Sequence, residues 1–405
     1  MRKRVDGERV MENRKILFCS WKIVGEKDVI DAIKESGFFV DTYEGIPVSL
    51  DYDVKYMREI SDMLLKGGYH YCFSLNFIPI ISRVCQIFHI PYISWSVDCP
   101  EFMLFSKTLS NSCNYIFLFD KDMVQKFSPR NPGHVFYMPL GTNMKHWDEI
   151  KVSEQERKKY QAEVSFVGSL YTEKSKYRSY EMDKELPAYL RGFCNGLVEA
   201  QLKVYGYNFL DDVVTEEMAQ EFKKYAGWED VPEDYEDVTK ETVANDFLGL
   251  RCTELERIRL LQKVAESFRL DLYTQSDKNF VPSANYCGLV DYVWDMPKVF
   301  RCSKINLNLT SKSIKTGVPL RIFDIMGAGG FLLTNYQQEL PEYFTIGQDL
   351  DVYENEEDLI QKIHYYLEHE EERMQIAENG QKKVRECYTW KQRIEDIMAI
   401  MEQVR

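Results

Sequence analysis

Arg321 and Asp324 stand three residues apart, between Gly317-Val318-Pro319 and Met326-Gly327-Ala328-Gly329-Gly330. Residues at that spacing share one face of a helix. The segment reads as loop, short helix, turn and strand. Pro319 suits the first helical position, where its missing N–H costs nothing. Gly329 and Gly330 permit a left-handed turn that ends the helix. Residues 331–334 form a short apolar run, as a buried parallel strand requires. A helix N-terminus that opens from a glycine loop at a sheet edge offers free N–H groups and a positive dipole end to an anion. There, Gly317 and Arg321 suit a diphosphate, and Asp324 suits the hydroxyls of a ribose. The competing reading is a helix-start charge pair beside a core helix.

Other residues join this one by position. Asp98 lies just past the apolar run Tyr92-Ile93-Ser94-Trp95. Ligands of parallel sheets gather outside the carboxyl ends of strands, so Asp98 is a candidate general base or acceptor anchor; its competing role is a helix N-cap. Ser74 and Asn76 end a neighbouring strand and are weaker acceptor-side candidates, with His134 and His146 in reserve. Gly168 and Ser169 end the first strand of the second half, where a small residue lets the backbone approach a phosphate. Lys304 and Asn308 bracket the strand before the Arg321 helix. Lys304 reads either as a phosphate contact or as a surface lysine. Tyr292-Val293-Trp294-Asp295-Met296-Pro297 can stack a base or pack a core. Two Asp-x-Asp pairs, Asp51/Asp53 and Asp349/Asp351, supply the carboxylates a divalent cation needs. Neither follows a buried strand in the pattern, so both read as surface loop, and no metal is expected.

The elements that must position these residues alternate. Strands are expected at 15–21, 38–43, 71–76, 91–96, 114–120 and 135–139, with helices between them. That alternation implies βαβ units and a parallel sheet. No G-x-G-x-x-G follows the first strand, which excludes an ordinary dinucleotide fingerprint. The charged run 149–161 marks a boundary, after which the same architecture restarts at Val164. Strands are expected at 271–274, 288–293, 305–309 and 331–334. Between them, 171–269 reads as a helical insertion: Leu190, Phe193, Leu197, Gln201 and Tyr205 keep helical spacing, and the acidic stretch 227–238 reads as an exposed loop. The expected organisation is therefore α/β, with a domain at 1–147, a second at 148–389 carrying the insertion, and a last helix at 390–405 placed to cross back to the first domain.

Composition narrows the function. The 405 residues carry a net charge of −14, with 44% hydrophobic and 29% charged residues. An acidic chain gains nothing from counterion release on nucleic acid and is unsuited to an anionic membrane surface. No run is long and apolar enough to span a bilayer, and the basic start lacks the apolar core of a secretory signal. The 10 cysteines form no C-x-x-C, and the 6 histidines have no zinc spacing. Buried, reduced thiols in the cytoplasm are the expectation.

Three phrases carry a family resemblance: Phe73-Ser74-Leu75-Asn76-Phe77-Ile78-Pro79 with Pro91-Tyr92-Ile93-Ser94-Trp95-Ser96-Val97-Asp98-Cys99-Pro100; Met138-Pro139-Leu140-Gly141-Thr142-Asn143; and Lys304-Ile305-Asn306-Leu307-Asn308 with Arg321-Ile322-Phe323-Asp324 and Ile376-Ala377-Glu378-Asn379-Gly380. The chain resembles the CgeB-type (spore maturation protein-like) bacterial glycosyltransferases of the GT-B superfamily. The resemblance implies two Rossmann-like parallel-sheet domains facing a cleft. It further implies metal-independent transfer of a sugar, of hexosyl type, from a nucleotide-diphosphate sugar to an acceptor hydroxyl on a glycan, protein or small molecule. Many retaining enzymes of this fold carry two glutamates eight positions apart. Here Thr316 and Asp324 stand at those places, so the ribose carboxylate is kept one methylene shorter and the sugar-side carboxylate is missing. Two rivals share the fold: a nucleotide-sugar epimerase and a non-catalytic accessory subunit.

Overall fold

The computed structural model describes residues 14–179, 186–226 and 233–404. The basic lead-in and residues 227–232 of the acidic stretch lie outside the described residues. The chain divides into two compact units: Met1–Gly141 with Pro232–Glu236 and Tyr388–Arg405, and Thr142–Val231 with Asp237–Cys387.

The first unit is a six-stranded sheet built from β1 (Lys15–Cys19), β2 (Phe39–Tyr43), β3 (Tyr71–Leu75), β4 (Tyr92–Trp95), β5 (Asn114–Leu118) and β6 (Val135–Tyr137), in the order β2-β1-β3-β4-β5-β6. Every pairing is parallel. All residues of β3, β4 and β5 are buried, because helices cover both faces of such a sheet. Leu75 lies opposite Trp95 in the register, so Asn76 and Ser96 leave the sheet side by side at its carboxyl edge. The last helix, Trp390–Gln403, belongs to this unit; Trp390 meets Trp95 edge-on at 5.1 Å.

The loop after β1 is where a dinucleotide-binding fold cradles phosphate. Here it is filled from within. The Glu26 carboxylate accepts the Ser20 hydroxyl and the backbone N–H groups of Trp21 and Lys22, the latter two at 2.6 and 3.0 Å.

The second unit repeats the architecture. Its strands are β7 (Ala162–Val167), β8 (Leu270–Tyr273), β9 (Asn285–Tyr286), β10 (Ser303–Asn308), β11 (Leu332–Asn335) and β12 (Asp351–Tyr353), in the order β12-β11-β10-β7-β8-β9, again all parallel. One apolar core joins β7, β8, β10 and β11 to the helices Leu250–Ser267 and Glu356–Glu368. The insertion keeps a core of its own, including Leu190, Cys194, Val198, Phe222 and Phe247.

Three expectations need correction. Residues 288–293 form no strand. Asp291 accepts the N–H groups of Val293 and Trp294 at 3.0 and 2.7 Å, and its carbonyl accepts those of Asp295 and Met296. This side-chain turn bends the chain into the helix Met296–Cys302, where Pro297 occupies the first turn. Phe193 faces solvent at 47% exposure; the buried stripe runs through Leu190, Cys194, Val198 and Gln201. Gln201 is inside because its amide donates to the Tyr207 carbonyl at 2.8 Å. The described end of the acidic stretch is an exposed loop, as expected, tethered by pairs of Asp234 with Arg83 at 2.7 Å and of Glu236 with Arg130 at 2.6 Å. The third correction is that Pro319 is the N-cap, with ψ 154°, and the helix begins at Leu320.

Candidate functional site

The second unit gathers polar groups at the carboxyl edge of its sheet. β7, β10 and β11 are neighbours there. Asn308, buried at the end of β10, donates to the hydroxyls of Thr310 and Thr334 at 3.0 and 2.9 Å. The Asn335 side chain accepts the Thr310 N–H at 2.8 Å. The loop that continues toward Gly317 is pinned along its length. Lys312 pairs with Glu256 at 2.8 Å and Lys315 with Asp211 at 2.5 Å. The Thr316 hydroxyl donates to Glu339 at 2.6 Å, and Gln337 donates to the Gly317 carbonyl at 3.4 Å. These contacts fix the entry to the helix Leu320–Gly327.

On that helix Asp324 is 2% exposed. It accepts the Tyr292 hydroxyl at 3.1 Å and pairs with Arg321 at 3.4 Å. Arg321 also donates to the Met296 sulfur and lies over the Phe300 ring at 5.6 Å. Gly329 closes the helix with φ 85°. Gly330 has a different purpose from the left-handed one expected: a Cβ there would stand 2.6 Å from Asn306 Nδ2 and 2.7 Å from the Phe300 carbonyl.

Gly168 ends β7, and its N–H donates to the Tyr273 carbonyl at 3.0 Å. The Ser169 hydroxyl donates to Glu173. Burial opposes ionisation of Glu173, yet bonds from Ser169, its own N–H, Ser276 and Thr172 outweigh it and hold the carboxyl down to about 2. Ser169 therefore offers a ligand its backbone, not its hydroxyl. Lys304 lies at the opposite end of β10 from Asn308, roughly 13 Å away at strand rise, and it is exposed. It stands apart from the cluster. Asp351 is not surface loop: it is buried in β12, paired with Lys362 at 3.0 Å and bonded by the Tyr366 hydroxyl at 2.9 Å. Asp53 caps the helix Val54–Gly67 by accepting the Tyr56 N–H. Among the described residues no group of three His, Cys, Asp or Glu is placed to hold a metal ion.

The first unit gathers a second constellation. Asn76 adopts the left-handed region at φ 58°, a costly conformation for most residues but glycine, which asparagine tolerates better than others. Its side chain explains the cost: Oδ1 accepts the Val97 and Asp98 N–H groups at 2.9 and 3.3 Å, and Nδ2 donates to Asp98 at 2.7 Å. The Ser74 hydroxyl bonds the Asn76 carbonyl at 2.8 Å and the Tyr92 hydroxyl at 2.6 Å. Asp98 itself is exposed and caps no helix; the next one, Phe102–Phe105, follows Glu101. Beneath it Glu101 is buried, accepting the Phe77 N–H and the Ser96 hydroxyl. Burial, with the Asp98 charge adding to it, pushes the Glu101 carboxyl up to about 8. The reserve histidines lie elsewhere. His134 bonds the Asn114 carbonyl at 2.7 Å, at the amino end of β5. His146 belongs to the second unit and bonds the Val293 carbonyl at 2.7 Å.

Sequence reasoning missed Glu101 and Arg257. Arg257, in the helix Leu250–Ser267, donates to the Ser169 and Leu309 carbonyls at 2.6 and 2.5 Å. It thereby ties the ends of β7 and β10 together. Those partners are 88 and 52 residues away, so no local pattern marks them. Glu101 had a weak signal, a carboxylate three residues after Asp98 beside an apolar strand.

With this geometry in place, similarity to known proteins is informative. Residues 257–399 match the family model described as glycosyl transferase-like. No curated protein sequence matches the chain. Among solved structures, a glycosyltransferase from Rickettsia africae ESF-5 superposes with a TM-score of 0.56 at 9% identity, covering 97% of this chain and 98% of its own. Sucrose-phosphate synthase from Thermosynechococcus elongatus gives 0.57 at 10% identity, over 96% and 99%. Anabaena HepE in complex with UDP-glucose gives 0.54 at 13% identity, over 96% and 99%. At such identities the likeness speaks for fold alone. Two six-stranded parallel sheets, each with its own helices and the second with a helical insertion, give this chain the GT-B fold.

Proposed function

We propose that the chain is a glycosyltransferase of the CgeB type, which moves a hexosyl group from a nucleoside-diphosphate sugar to an acceptor hydroxyl in the bacterial cytoplasm without a divalent metal. One observation carries this reading. The buried Asp324, bonded by Tyr292 and Arg321, sits on the helix that opens from the Gly317 loop, within the stretch matching the glycosyl transferase-like model. In this reading Asp324 takes the ribose hydroxyls, and the phosphates approach the backbone at Gly168, Ser169 and Gly317, where the two glycines carry no side chain. Asn308 holds the loop between them. Arg321 and the helix N-terminus stabilise charge that develops on the leaving diphosphate, the most effective place for fixed dipoles. Lys304 has no part, because it stands at the far end of its strand.

The acceptor is a glycan, protein or small molecule held by the first unit. Asp98, oriented by Asn76 and backed by Ser74, removes the proton of the acceptor hydroxyl. The oxygen then bonds the anomeric carbon as the bond from that carbon to the diphosphate oxygen breaks, and the nucleoside diphosphate leaves with the electron pair. Because Anabaena HepE was solved with UDP-glucose, that donor is the first to try.

A thermal-shift and hydrolysis screen of UDP-, GDP-, ADP- and TDP-sugars tests the proposal. A ligand at a hundred times its dissociation constant stabilises by about 2.7 kcal/mol, which a melt reads readily. The expected result is one nucleotide class that shifts the melt and slowly releases its sugar. No shift and no release with any donor overturns the reading. Shift without release or transfer favours a non-catalytic binding subunit, a reading supported by Thr316, whose hydroxyl is spent on Glu339 where the resemblance expects a carboxylate.

A further inference from the structure

We infer that Arg257 joins Arg321 and the helix N-terminus in receiving the diphosphate of a nucleoside-diphosphate ligand; this rests on the donor-site reading above. Its guanidinium spans the carboxyl ends of β7 and β10, with Nη1 on the Ser169 carbonyl and Nη2 on the Leu309 carbonyl. The Tyr171 ring stacks on it at 4.5 Å and the Phe166 ring lies at 5.5 Å. Tyr171 holds φ 66°, a strained value for a non-glycine residue, and its ring covers the guanidinium from there. A Cβ on Gly168 would stand 3.8 Å from Arg257 Nη1. The guanidinium therefore lies directly beside the loop assigned to the phosphates.

The charge balance at this spot is unusual. Arg257 Nε is closed off from solvent and has no hydrogen-bond partner. Among the described residues no carboxylate stands within ion-pair distance of the guanidinium. Glu256, next in sequence, is paired with Lys312. Glu173, in the same loop as Ser169, is engaged by the Ser169, Thr172 and Ser276 hydroxyls. Burial lowers the pKa of Arg257 and the Arg321 charge adds to this, while Tyr171, Glu256 and Tyr353 pull the other way. Two guanidinium groups and a helix N-terminus thus share one edge of the sheet, while the carboxylate on that helix is already bonded to Tyr292 and Arg321. Partly burying a cation without a carboxylate at ion-pair distance is costly, and carbonyl dipoles offset only part of the cost. A dianionic group offsets the rest.

Arg301, in the same unit, shows what a structural arginine looks like in this fold. Its Nε, Nη1 and Nη2 each donate to a carbonyl, those of Ala328, Ile150 and Trp147, so each of its three nitrogens is engaged. Arg83 also leaves a buried Nε unpartnered, yet it pairs with Asp234 at 2.7 Å; Arg257 combines an unpartnered Nε with no carboxylate at ion-pair distance, and it reaches strand ends rather than loop backs. It does two things at once: it sets the distance between the 168–171 loop and the start of the 309–319 loop, and it brings positive charge between them.

The test uses the intact chain and calorimetric titration with UDP and uridine as probes. Wild type is expected to bind UDP at least tenfold more tightly than uridine. Arg257→Gln is expected to remove most of that preference while leaving uridine affinity within twofold, and Arg257→Lys to restore part of it. A wild-type preference retained in Arg257→Gln reduces the residue to a loop tie and overturns the inference. Should Arg257→Gln not fold, arginine side-chain NMR of the wild type decides instead, with the Arg257 signal assigned by its loss in Arg257→Lys. That signal must move with UDP and not with uridine; an unmoved signal overturns the inference. Failure of the wild type to bind UDP, GDP, ADP or TDP at all is a different outcome, since it removes the donor-site reading on which Arg257 depends.

Discussion

Replacing Glu101 by glutamine changes one atom and removes one titration. The carboxyl is buried between the Phe77 N–H and the Ser96 hydroxyl, and burial raises it from 4.5 to about 8, with Asp98 adding to the effect. A raised carboxyl pKa means that the folded protein binds the proton more tightly than the unfolded chain. Its contribution to stability is complete below about pH 4.5, declines as pH rises, and is gone above about pH 8. Each pH unit inside that window is worth about 1.4 kcal/mol, so wild type should lose about 3 kcal/mol between pH 5.5 and 8.5 from this group. Glutamine can keep both hydrogen bonds, accepting from Phe77 and donating to Ser96, yet it carries no proton to lose. Urea unfolding at the two pH values, read on the transition of the first unit, should show that slope in wild type and not in Glu101→Gln. A carboxyl 13C titration on labelled glutamate should show one resonance moving near pH 8 that is missing from the variant. Equal pH slopes for the two proteins, with no such resonance, would refute the argument from burial.

The remaining predictions bear on the chemistry and on packing. Asp98→Asn should retain the bond from Asn76 or a close equivalent, leave the melt unchanged, and cut turnover by about 10²–10⁴, the usual contribution of a general base; near wild-type turnover with a measured acceptor assigns Asp98 to loop structure. Transfer should survive EDTA, since the charge on the leaving group is met by Arg321 and the helix N-terminus; loss that magnesium or manganese restores contradicts this. Gly330→Ala should destabilise the second unit by about 1–3 kcal/mol, the range for overpacking, because the new Cβ would stand 2.7 Å from the Phe300 carbonyl; an unchanged melting temperature means that the strand shifts freely there.

Much of the fold could be read from residues because parallel strands announce themselves locally. β3, β4 and β5 are apolar runs bounded by turn residues, and each formed within two residues of its expected limits. The 288–293 segment misled because Leu289-Val290 and Tyr292-Val293 look like a strand, while the decisive group, the Asp291 carboxylate turned back on the next two N–H groups, acts through a side chain. β12 is only three residues long and begins on a charged one. Asp351 is tolerated inside because Lys362 and Tyr366, from the following helix, reach back to it. The candidate site residues legible in the sequence are those that sit on a motif or end a strand: Arg321, Asp324, Asn76, Asp98. Those defined by distant partners are not legible there. Arg257 depends on carbonyls from two other segments, and the Thr316–Glu339 bond joins residues 23 apart across a strand.

The central claim is that the second unit binds a nucleoside diphosphate through Asp324. Asp324→Asn tests it most directly, because the side chain is buried and an amide fills the same space without leaving Tyr292 facing a void. Hydrogen bonds to a charged group are worth about 1.5–3 kcal/mol. Calorimetric titration of the nucleoside diphosphate that stabilises the wild type should therefore give an affinity at least tenfold weaker in Asp324→Asn, with an unchanged melt of the free protein. Equal affinity in the two proteins would contradict the assignment of Asp324 and, with it, the placement of the donor in the second unit.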